Sequence, residues 1–157
     1  MTRLDGIVQL LYGGGIESIL IGGIAAAAHG SARVTQDVDV VYSRSPQNLQ
    51  RIAEVLAPVH PYLRGAPPGL PFRLNVATLS AGLNFTLTTD LGALDLLGEV
   101  AGGGRYEDLV RHTIEAEVFG VRCKVLDLNM LIATKRAAGR PKDYETIAEL
   151  ELLREQE

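Results

Sequence analysis

The sequence lacks three features that would place it in a membrane, in an oxidising compartment or on a broad nucleic-acid surface. Its only cysteine, Cys123, excludes an internal disulfide, which favours a reducing environment. Its longest apolar run, residues 19–28, is interrupted by glycines and is about half of the ~20 residues that a membrane helix needs. The net charge is −4 and no run of five like charges occurs, so we expect local basic sites rather than a broad basic surface.

The start of the chain also lacks a targeting signal. Residues 1–8 contain no long apolar core of the kind that a secretory signal needs, so we expect a cytoplasmic protein without membrane contact. The 157 residues, 46% of them hydrophobic, suffice for one domain with a sizeable core, because ~100–200 residues per domain is usual. We predict a single domain that spans residues 1–157.

The most informative stretch runs from residue 18 to residue 42. Residues 18–21 are a short β-branched apolar run, which predicts a strand, and the Ala-rich residues 24–28 predict a helix. Gly22 and Gly23 lie between the two. The first amides of a helix have no partner inside it, and glycines let a ligand come close to the backbone. This arrangement predicts a phosphate group beside the two glycines.

Two acids follow this helix on one predicted strand. Asp37 and Asp39 alternate with Val38 and Val40, and the two-residue period of a strand places both carboxylates on one face. Like charges that lie side by side repel each other and need a cation. The most economical partner is a hard divalent metal ion such as Mg²⁺.

A further acid lies on a predicted hairpin. Residues 84–89 and 93–97 are predicted to be strands that are joined by a turn at Asp90. Asp95 is the only charged residue of the second strand, and a lone acid among apolar residues needs a reason. The turn position of Asp90 already explains an aspartate there, because aspartate side chains in turns form hydrogen bonds to their own backbone.

The C-terminal part predicts a helix whose apolar face ends in a cation. Lys135 shares a helix face with Leu131 and Ile132, so we expect it to be held toward the body of the protein. The alternative is a lysine whose stem covers apolar surface while its amine reaches water. Residues 139–143 then combine a helix stop, a proline and an acid, and a last helix follows.

The other segments supply a scaffold and a long loop. The predicted scaffold elements are a first helix that ends near Gly13, a helix over residues 46–56 with Ser45 as its N-cap, a helix over residues 105–112, and strands over residues 114–119 and 121–126. Residues 57–71 carry five of the seven prolines, which predicts a long loop. Arg64 in this loop and Arg73 just after it are either substrate contacts or solvated surface residues.

The order of these motifs resembles a known family. Gly22-Gly23, thirteen intervening residues and Asp37-Val38-Asp39-Val40 resemble the signature of the nucleotidyltransferase superfamily, a Gly-Gly or Gly-Ser turn followed by Asp-apolar-Asp-apolar. Leu131-Ile132-x-x-Lys135 with Arg140-Pro141-Lys142-Asp143 is similar to the C-terminal part of the small abortive-infection-type nucleotidyltransferase toxins and their uncharacterised relatives. The resemblance implies an α+β fold, in which a mixed β-sheet of about five strands is flanked by helices and the C-terminal helices pack on it.

The resemblance also implies a site and its ligands. It makes Asp37, Asp39 and Asp95 the catalytic carboxylates and the ligands of Mg²⁺ or Mn²⁺. The implied substrate is a nucleoside triphosphate, whose predicted contacts are Gly22, Gly23, Arg33, Thr35 and Lys135. Two interpretations of Arg33 stay open, a contact with a phosphate and neutralisation of Asp37.

The implied reaction is a two-metal transfer of NMP from an NTP to a hydroxyl acceptor, namely a tRNA end, a protein or a small molecule. The similarity to the toxins implies a toxin of a toxin–antitoxin module, with an antitoxin as partner. Two alternatives are a catalytically idle nucleotide-binding module and a small-molecule nucleotidyltransferase of the antibiotic-modifying type. The presence of all three acids disfavours the idle module.

Overall fold

Alternating apolar residues build the strands of this protein, and apolar residues at helical spacing build its helices. The computed structural model describes residues 2–157. The strands are β1 (Ser18–Ile21), β2 (Asp37–Tyr42), β3 (Tyr62–Leu63), β4 (Asn84–Thr89), β5 (Gly92–Leu97), β6 (Thr113–Val118) and β7 (Val121–Leu126). The helices are α1 (Leu4–Gly13), α2 (Gly22–Ala28), α3 (Pro46–Leu56), α4 (Val76–Ala81), α5 (Tyr106–Leu109), α6 (Leu128–Ala138) and α7 (Tyr144–Glu155). Within residues 2–157, none of the helices combines the length and the apolar character that crossing a membrane requires.

The strands of this part of the chain join in one mixed sheet. Their order is β3-β4-β5-β2-β1-β7-β6. β2 runs parallel to β5, β1 runs parallel to β7, and the other neighbours are antiparallel. A parallel pair cannot be closed by a tight turn, so β2 and β5 meet only after a long excursion of the chain. The predicted α+β class with a mixed sheet is confirmed.

The centre of the sheet is also the centre of the hydrophobic core. All residues of β1 are buried. On β2 the valines are buried, whereas Asp37 and Asp39 keep part of their exposure. On β5 the same alternation buries Leu94 and Leu96 and leaves Asp95 half-buried. Strand parity therefore separates an apolar face from the face that carries the carboxylates.

Side-chain caps and glycine set the ends of two helices. Ser45 Oγ accepts a hydrogen bond from the backbone N–H of Asn48 at 3.2 Å, which confirms Ser45 as the N-cap of α3. α6 ends at Gly139, whose φ of +65° lies in the left-handed region that favours glycine. α6 contacts α2 and α7, so the C-terminal helices pack on the body of the protein.

The scaffold differs from the sequence prediction in four respects. The sheet has seven strands rather than about five, and β3 lies inside the segment that is predicted to be a loop. A two-residue strand has no periodic signal, because it exists only through its pairing with β4. α4 is missing from the sequence prediction, and the helix predicted over residues 105–112 divides into α5 and a 3-10 turn at Val110–His112.

Candidate active site

The pairing register of two parallel strands brings three carboxylates together. Asp39 on β2 lies directly opposite Asp95 on β5, and Asp37 lies two residues earlier on the same face of β2. Carboxylate oxygens of the three residues lie within 4.8 Å of one another. Acids that stand out on two distant segments of the sequence therefore form one cluster, which we call the acidic triad.

The environment of Asp39 disfavours its charged form. Burial and then the neighbouring carboxylates of Asp95 and Asp37 raise the pKa of Asp39 to about 7. Asp39 Oδ1 is buried and has no hydrogen-bond partner within residues 2–157. A buried acceptor without a hydrogen-bond partner lowers the stability of a protein by about 1–3 kcal/mol. A ligand bound to this oxygen would offset that cost.

The two glycines after β1 leave room for neighbouring side chains of the site. Gly22 has a φ of +66°, and a Cβ at this position would overlap the carboxylate of Asp39. A Cβ on Gly23 would lie 2.5 Å from Cβ of Thr35. The sequence predicts a phosphate beside these glycines. The structure gives a second reason for glycine at both positions: a side chain at either would collide with Asp39 or Thr35.

A cleft of about 340 Å³ is lined by Asp39 and Asp95 of the acidic triad and by residues of α6, whereas Asp37 lies outside its lining. Its lining residues are Ile21, Gly22, Gly23, Asp39, Asp95, Leu97, Val100, Ala101, Leu131, Thr134, Lys135, Ala138 and Arg140. Most of the polar side chains in this set carry a charge: the carboxylates of Asp39 and Asp95 come from the sheet, and the cations Lys135 and Arg140 come from α6 and the residues just after it. The cleft therefore offers an acidic wall and a basic wall to a single ligand.

A buried acid organises the basic wall. The carboxylate of Asp143 lies 3.7 Å from Lys135 Nζ and accepts hydrogen bonds from Arg140 Nε and Nη2 at 2.7 and 3.3 Å. The Lys135 side chain is only 15% exposed, which confirms that it is held toward the body of the protein. Burial raises the pKa of Asp143, but the Arg140 hydrogen bonds and the Lys135 charge outweigh it and lower that pKa overall.

Arg33 and Thr35, the other predicted nucleotide contacts, are not among the residues that line the cleft. The Arg33 guanidinium lies 3.2 Å from Glu145 and 3.6 Å from Glu149, both on α7. Thr35 Oγ1 donates to the backbone carbonyl of Asp37 at 3.2 Å, so it supports the start of β2. The structure thus gives both residues partners within the protein, and their contact with a nucleotide stays a prediction.

Arg64 is a residue of the site that sequence reasoning missed. Its Nη2 donates to Asp95 Oδ1 at 2.8 Å, although 31 residues separate the two in sequence. From sequence, Arg64 is either a substrate contact or a solvated surface residue, and neither interpretation names Asp95. No local signal could have found the pair, because the pairing of β3 with β4 brings Arg64 to this place.

Other reactive side chains have structural partners. His29 shares a hydrogen bond of 2.8 Å between its Nε2 and the backbone carbonyl of Leu126. Asp90 lies in an exposed turn and pairs with His60 at 2.6 Å. Cys123 is buried, and burial raises the pKa of its thiol to about 11, so it is a poor nucleophile. The position of Asp90 between β4 and β5 agrees with the turn residue that the sequence predicts.

Comparison with known proteins identifies the fold. No family model and no curated protein sequence matches this chain. Among solved structures, a protein of Thermotoga maritima described as a "putative nucleotidyltransferase" superposes with a TM-score of 0.59. The match covers 95% of this chain and 94% of that chain, at 16% sequence identity. The chain therefore has the nucleotidyltransferase fold, as the resemblance implies.

The acidic triad fits a divalent metal ion. Carboxylate oxygens are the ligands that hard cations such as Mg²⁺ and Mn²⁺ prefer. Here three of them converge, and one of the Asp39 oxygens has no protein partner within residues 2–157. A cation at this place would also remove the repulsion that raises the pKa of Asp39.

Proposed function

We propose that this protein is a metal-dependent nucleotidyltransferase that transfers NMP from an NTP to a hydroxyl group of an acceptor. One observation carries the proposal: Asp39 and Asp95 of the acidic triad line one cleft of a nucleotidyltransferase fold together with Lys135 and Arg140. A metal–triphosphate complex has the matching charges, since its cation suits the triad and its phosphates suit the basic wall.

Each charged residue then has a role. Asp37 and Asp39 would hold the ion that accompanies the triphosphate, and all three aspartates would hold a second ion on the acceptor side. Bound Mg²⁺ or Mn²⁺ supplies charge neutralisation at the leaving pyrophosphate and a lowered pKa for the attacking hydroxyl. Lys135 would contact the phosphates, where its nearly buried side chain loses little entropy on binding.

The chemistry is a single displacement at the α-phosphorus. The acceptor oxygen forms a bond to this phosphorus while the bond from phosphorus to the pyrophosphate oxygen breaks, and the hydroxyl proton leaves to solvent. The residues at the cleft bind and orient the two substrates, and none of them acts as a covalent nucleophile. Gly22 and Gly23 would let the triphosphate approach the backbone, and Arg33 and Thr35 would complete the nucleotide contacts.

The acceptor that we propose is a tRNA end, a protein or a small molecule. The C-terminal resemblance supports a toxin with a cognate antitoxin as partner, because Lys135, Arg140 and Asp143, which carry it, also build the basic wall. The idle module is the second candidate, and the pairing of Arg64 with Asp95 would favour it only if Arg64 took the place of a metal ion there. In that alternative the protein binds an NTP and transfers nothing.

Labelling experiments separate the two functions. Purified protein is incubated with Mg²⁺, each α-labelled NTP in turn and a cell extract as acceptor pool. Transfer of label to a macromolecule or a small molecule is expected from the wild type and from Asp90→Asn, a matched change in an exposed turn. It should be lost in Asp39→Asn. A wild type that binds NTP with Mg²⁺ but transfers no label from any of the four NTPs would overturn the proposal in favour of the idle module.

A further inference from the structure

Arg64 reaches the acidic triad along one row of the sheet. The backbone N–H of Arg64 donates to the carbonyl of Thr86 at 3.0 Å, which extends the pairing of β3 with β4 by one residue. Thr86 lies opposite Asp95, and Asp95 lies opposite Asp39. Residues that lie opposite each other in adjacent strands point to the same face, so the side chains of Arg64, Asp95 and Asp39 share one face.

The guanidinium of Arg64 is held from two sides. Its Nη2 donates to the backbone carbonyl of Leu87 at 2.5 Å as well as to Asp95 Oδ1 at 2.8 Å. The side chain is 32% exposed and that of Asp95 is 22% exposed, so neither end of the pair is freely solvated. Since Leu87 belongs to β4, the guanidinium has an anchor that does not depend on Asp95.

This anchor lies on the side of Asp95 that is away from the other acids. The strand order is β4-β5-β2, so Leu87 and Arg64 lie on one flank of Asp95 and Asp39 lies on the other. Arg64 therefore occupies Oδ1 from the β4 flank without entering the space between Asp95 and Asp39. A cation and Arg64 can be partners of Asp95 at the same time.

We propose that Arg64 is a positioning residue for the metal site: by holding Oδ1 of Asp95 on the β4 flank, it directs the other carboxylate oxygen toward an ion shared with Asp39. The inference rests on the proposed function for the presence of a metal ion. It goes further in assigning a role to a residue that touches neither metal nor nucleotide. Partners of this kind fix the orientation of a ligand, and their loss costs about 10–100-fold in metal affinity.

The alternative role for Arg64, a counter-charge without a positioning function, predicts the opposite change in cation affinity when Arg64 is removed. If Arg64 only balanced the negative charge of the triad, its removal would leave the site more negative and would tighten the binding of a cation. If it positions Asp95, its removal weakens the binding, because the carboxylate is free to rotate. Lysine keeps the charge, but its single amine ends a shorter chain than the one that carries Nη2, so Arg64→Lys separates charge from geometry.

The test is a titration of the purified chain with Mn²⁺ in the absence of nucleotide. The EPR signal of unbound Mn²⁺ gives the affinity. We expect Arg64→Gln to weaken the affinity about tenfold and Arg64→Lys to weaken it by a smaller factor. The matched control is Arg73→Gln, an exposed arginine near the same segment, which should bind like the wild type. Tighter binding by Arg64→Gln, or equal affinities in Arg64→Gln and Arg73→Gln, would overturn the inference.

This readout also keeps the inference separate from the proposed function. A wild type that binds Mn²⁺ but transfers no nucleotide contradicts the transferase activity, and the Arg64 variants still decide the positioning role. A wild type that binds no Mn²⁺ overturns both. If transfer occurs, Arg64→Gln should lower kcat at least tenfold with little change in the KM for NTP, because Asp95 would serve the acceptor side. If the role of Arg64 were purely structural, its substitution would not change the Mn²⁺ affinity and would not lower kcat selectively over KM.

Discussion

The two walls of the cleft carry opposite charge and balance it differently. The acidic triad, of which Asp39 and Asp95 form the acidic wall, has one ion-pair partner in the part of the chain that the structure describes, namely Arg64, whose guanidinium touches only Asp95 among the three acids. On the basic wall Lys135 and Arg140 share one buried acid, Asp143. The pKa values follow this imbalance, since that of Asp39 is raised, chiefly by burial and then by its neighbours, and that of Asp143 is lowered on balance by its cations.

The opposite charge imbalance of the two walls indicates which kind of ligand would complete the site. The acidic wall lacks positive charge and the basic wall has a surplus of it, so a simple cation or a simple anion would satisfy only one of them. A ligand that carries a divalent ion and phosphates together satisfies both. The following changes each alter one wall and leave the other in place.

The largest effect is expected from Asp39→Asn, which removes the central charge of the acidic wall. Asparagine has nearly the same volume, so the fold should persist, and the melting temperature without metal should be at least that of the wild type, because a repulsive charge is lost. Nucleotide transfer should fall by at least a hundredfold, and Mg²⁺ should no longer raise the melting temperature. Calorimetry with and without Mg²⁺ measures the second effect.

Asp90→Asn is the control for this change, because Asp90 is an exposed acid in the turn between β4 and β5. It should retain both transfer and the response to Mg²⁺. Transfer at the wild-type rate by Asp39→Asn would remove the acidic wall from the mechanism.

Asp95→Asn should separate chemistry from binding. Asp37 and Asp39 would still hold the ion of the triphosphate, so the affinity for NTP should stay within about tenfold, ~1.4 kcal/mol. Transfer should fall by a hundredfold or more, because the acceptor side loses a preorganised charged group. Isothermal titration with an NTP and the labelling assay measure the two quantities. Equal losses in both would instead indicate that Asp95 holds the site together structurally.

The acidic wall was predictable from sequence because strand parity is a local property. Asp37 and Asp39 reveal their shared face within three residues, and Asp95 is conspicuous as the one charge of an apolar strand. Lys135 follows from helical periodicity in the same way. Arg64 could not be predicted, because the register of the two-residue strand β3 on β4 decides its partner. The pairing of Arg33 with α7 is equally a product of tertiary packing.

Gly22→Ala should disturb the acidic wall through the backbone. The new Cβ would overlap the carboxylate of Asp39 and would also sit at a φ of +66°, which costs about 1–2 kcal/mol by itself. We expect a total loss of roughly 2–4 kcal/mol in the free energy of unfolding, together with a weaker response to Mg²⁺. Gly65→Ala is the matched control, since Gly65 has a φ of +81° and its new methyl group would meet no described atom within 4 Å. A loss of similar size in both variants would show that backbone strain alone is responsible.

The smallest effect is expected on the basic wall, where Asp143→Asn should give a stability difference that depends on pH. The folded-state pKa of Asp143 lies below its unfolded value, so its carboxylate stabilises the protein above the usual aspartate pKa of about 4, and this contribution is lost as the pH falls through the folded pKa. The wild type should therefore be more stable than Asp143→Asn by roughly 1.5–3 kcal/mol at neutral pH, the scale of a hydrogen bond to a charged group. Denaturant unfolding between pH 3 and 7 should show this gap narrowing toward acid. A gap that is constant with pH would mean that packing, rather than the charge of Asp143, holds Lys135 and Arg140 at the cleft.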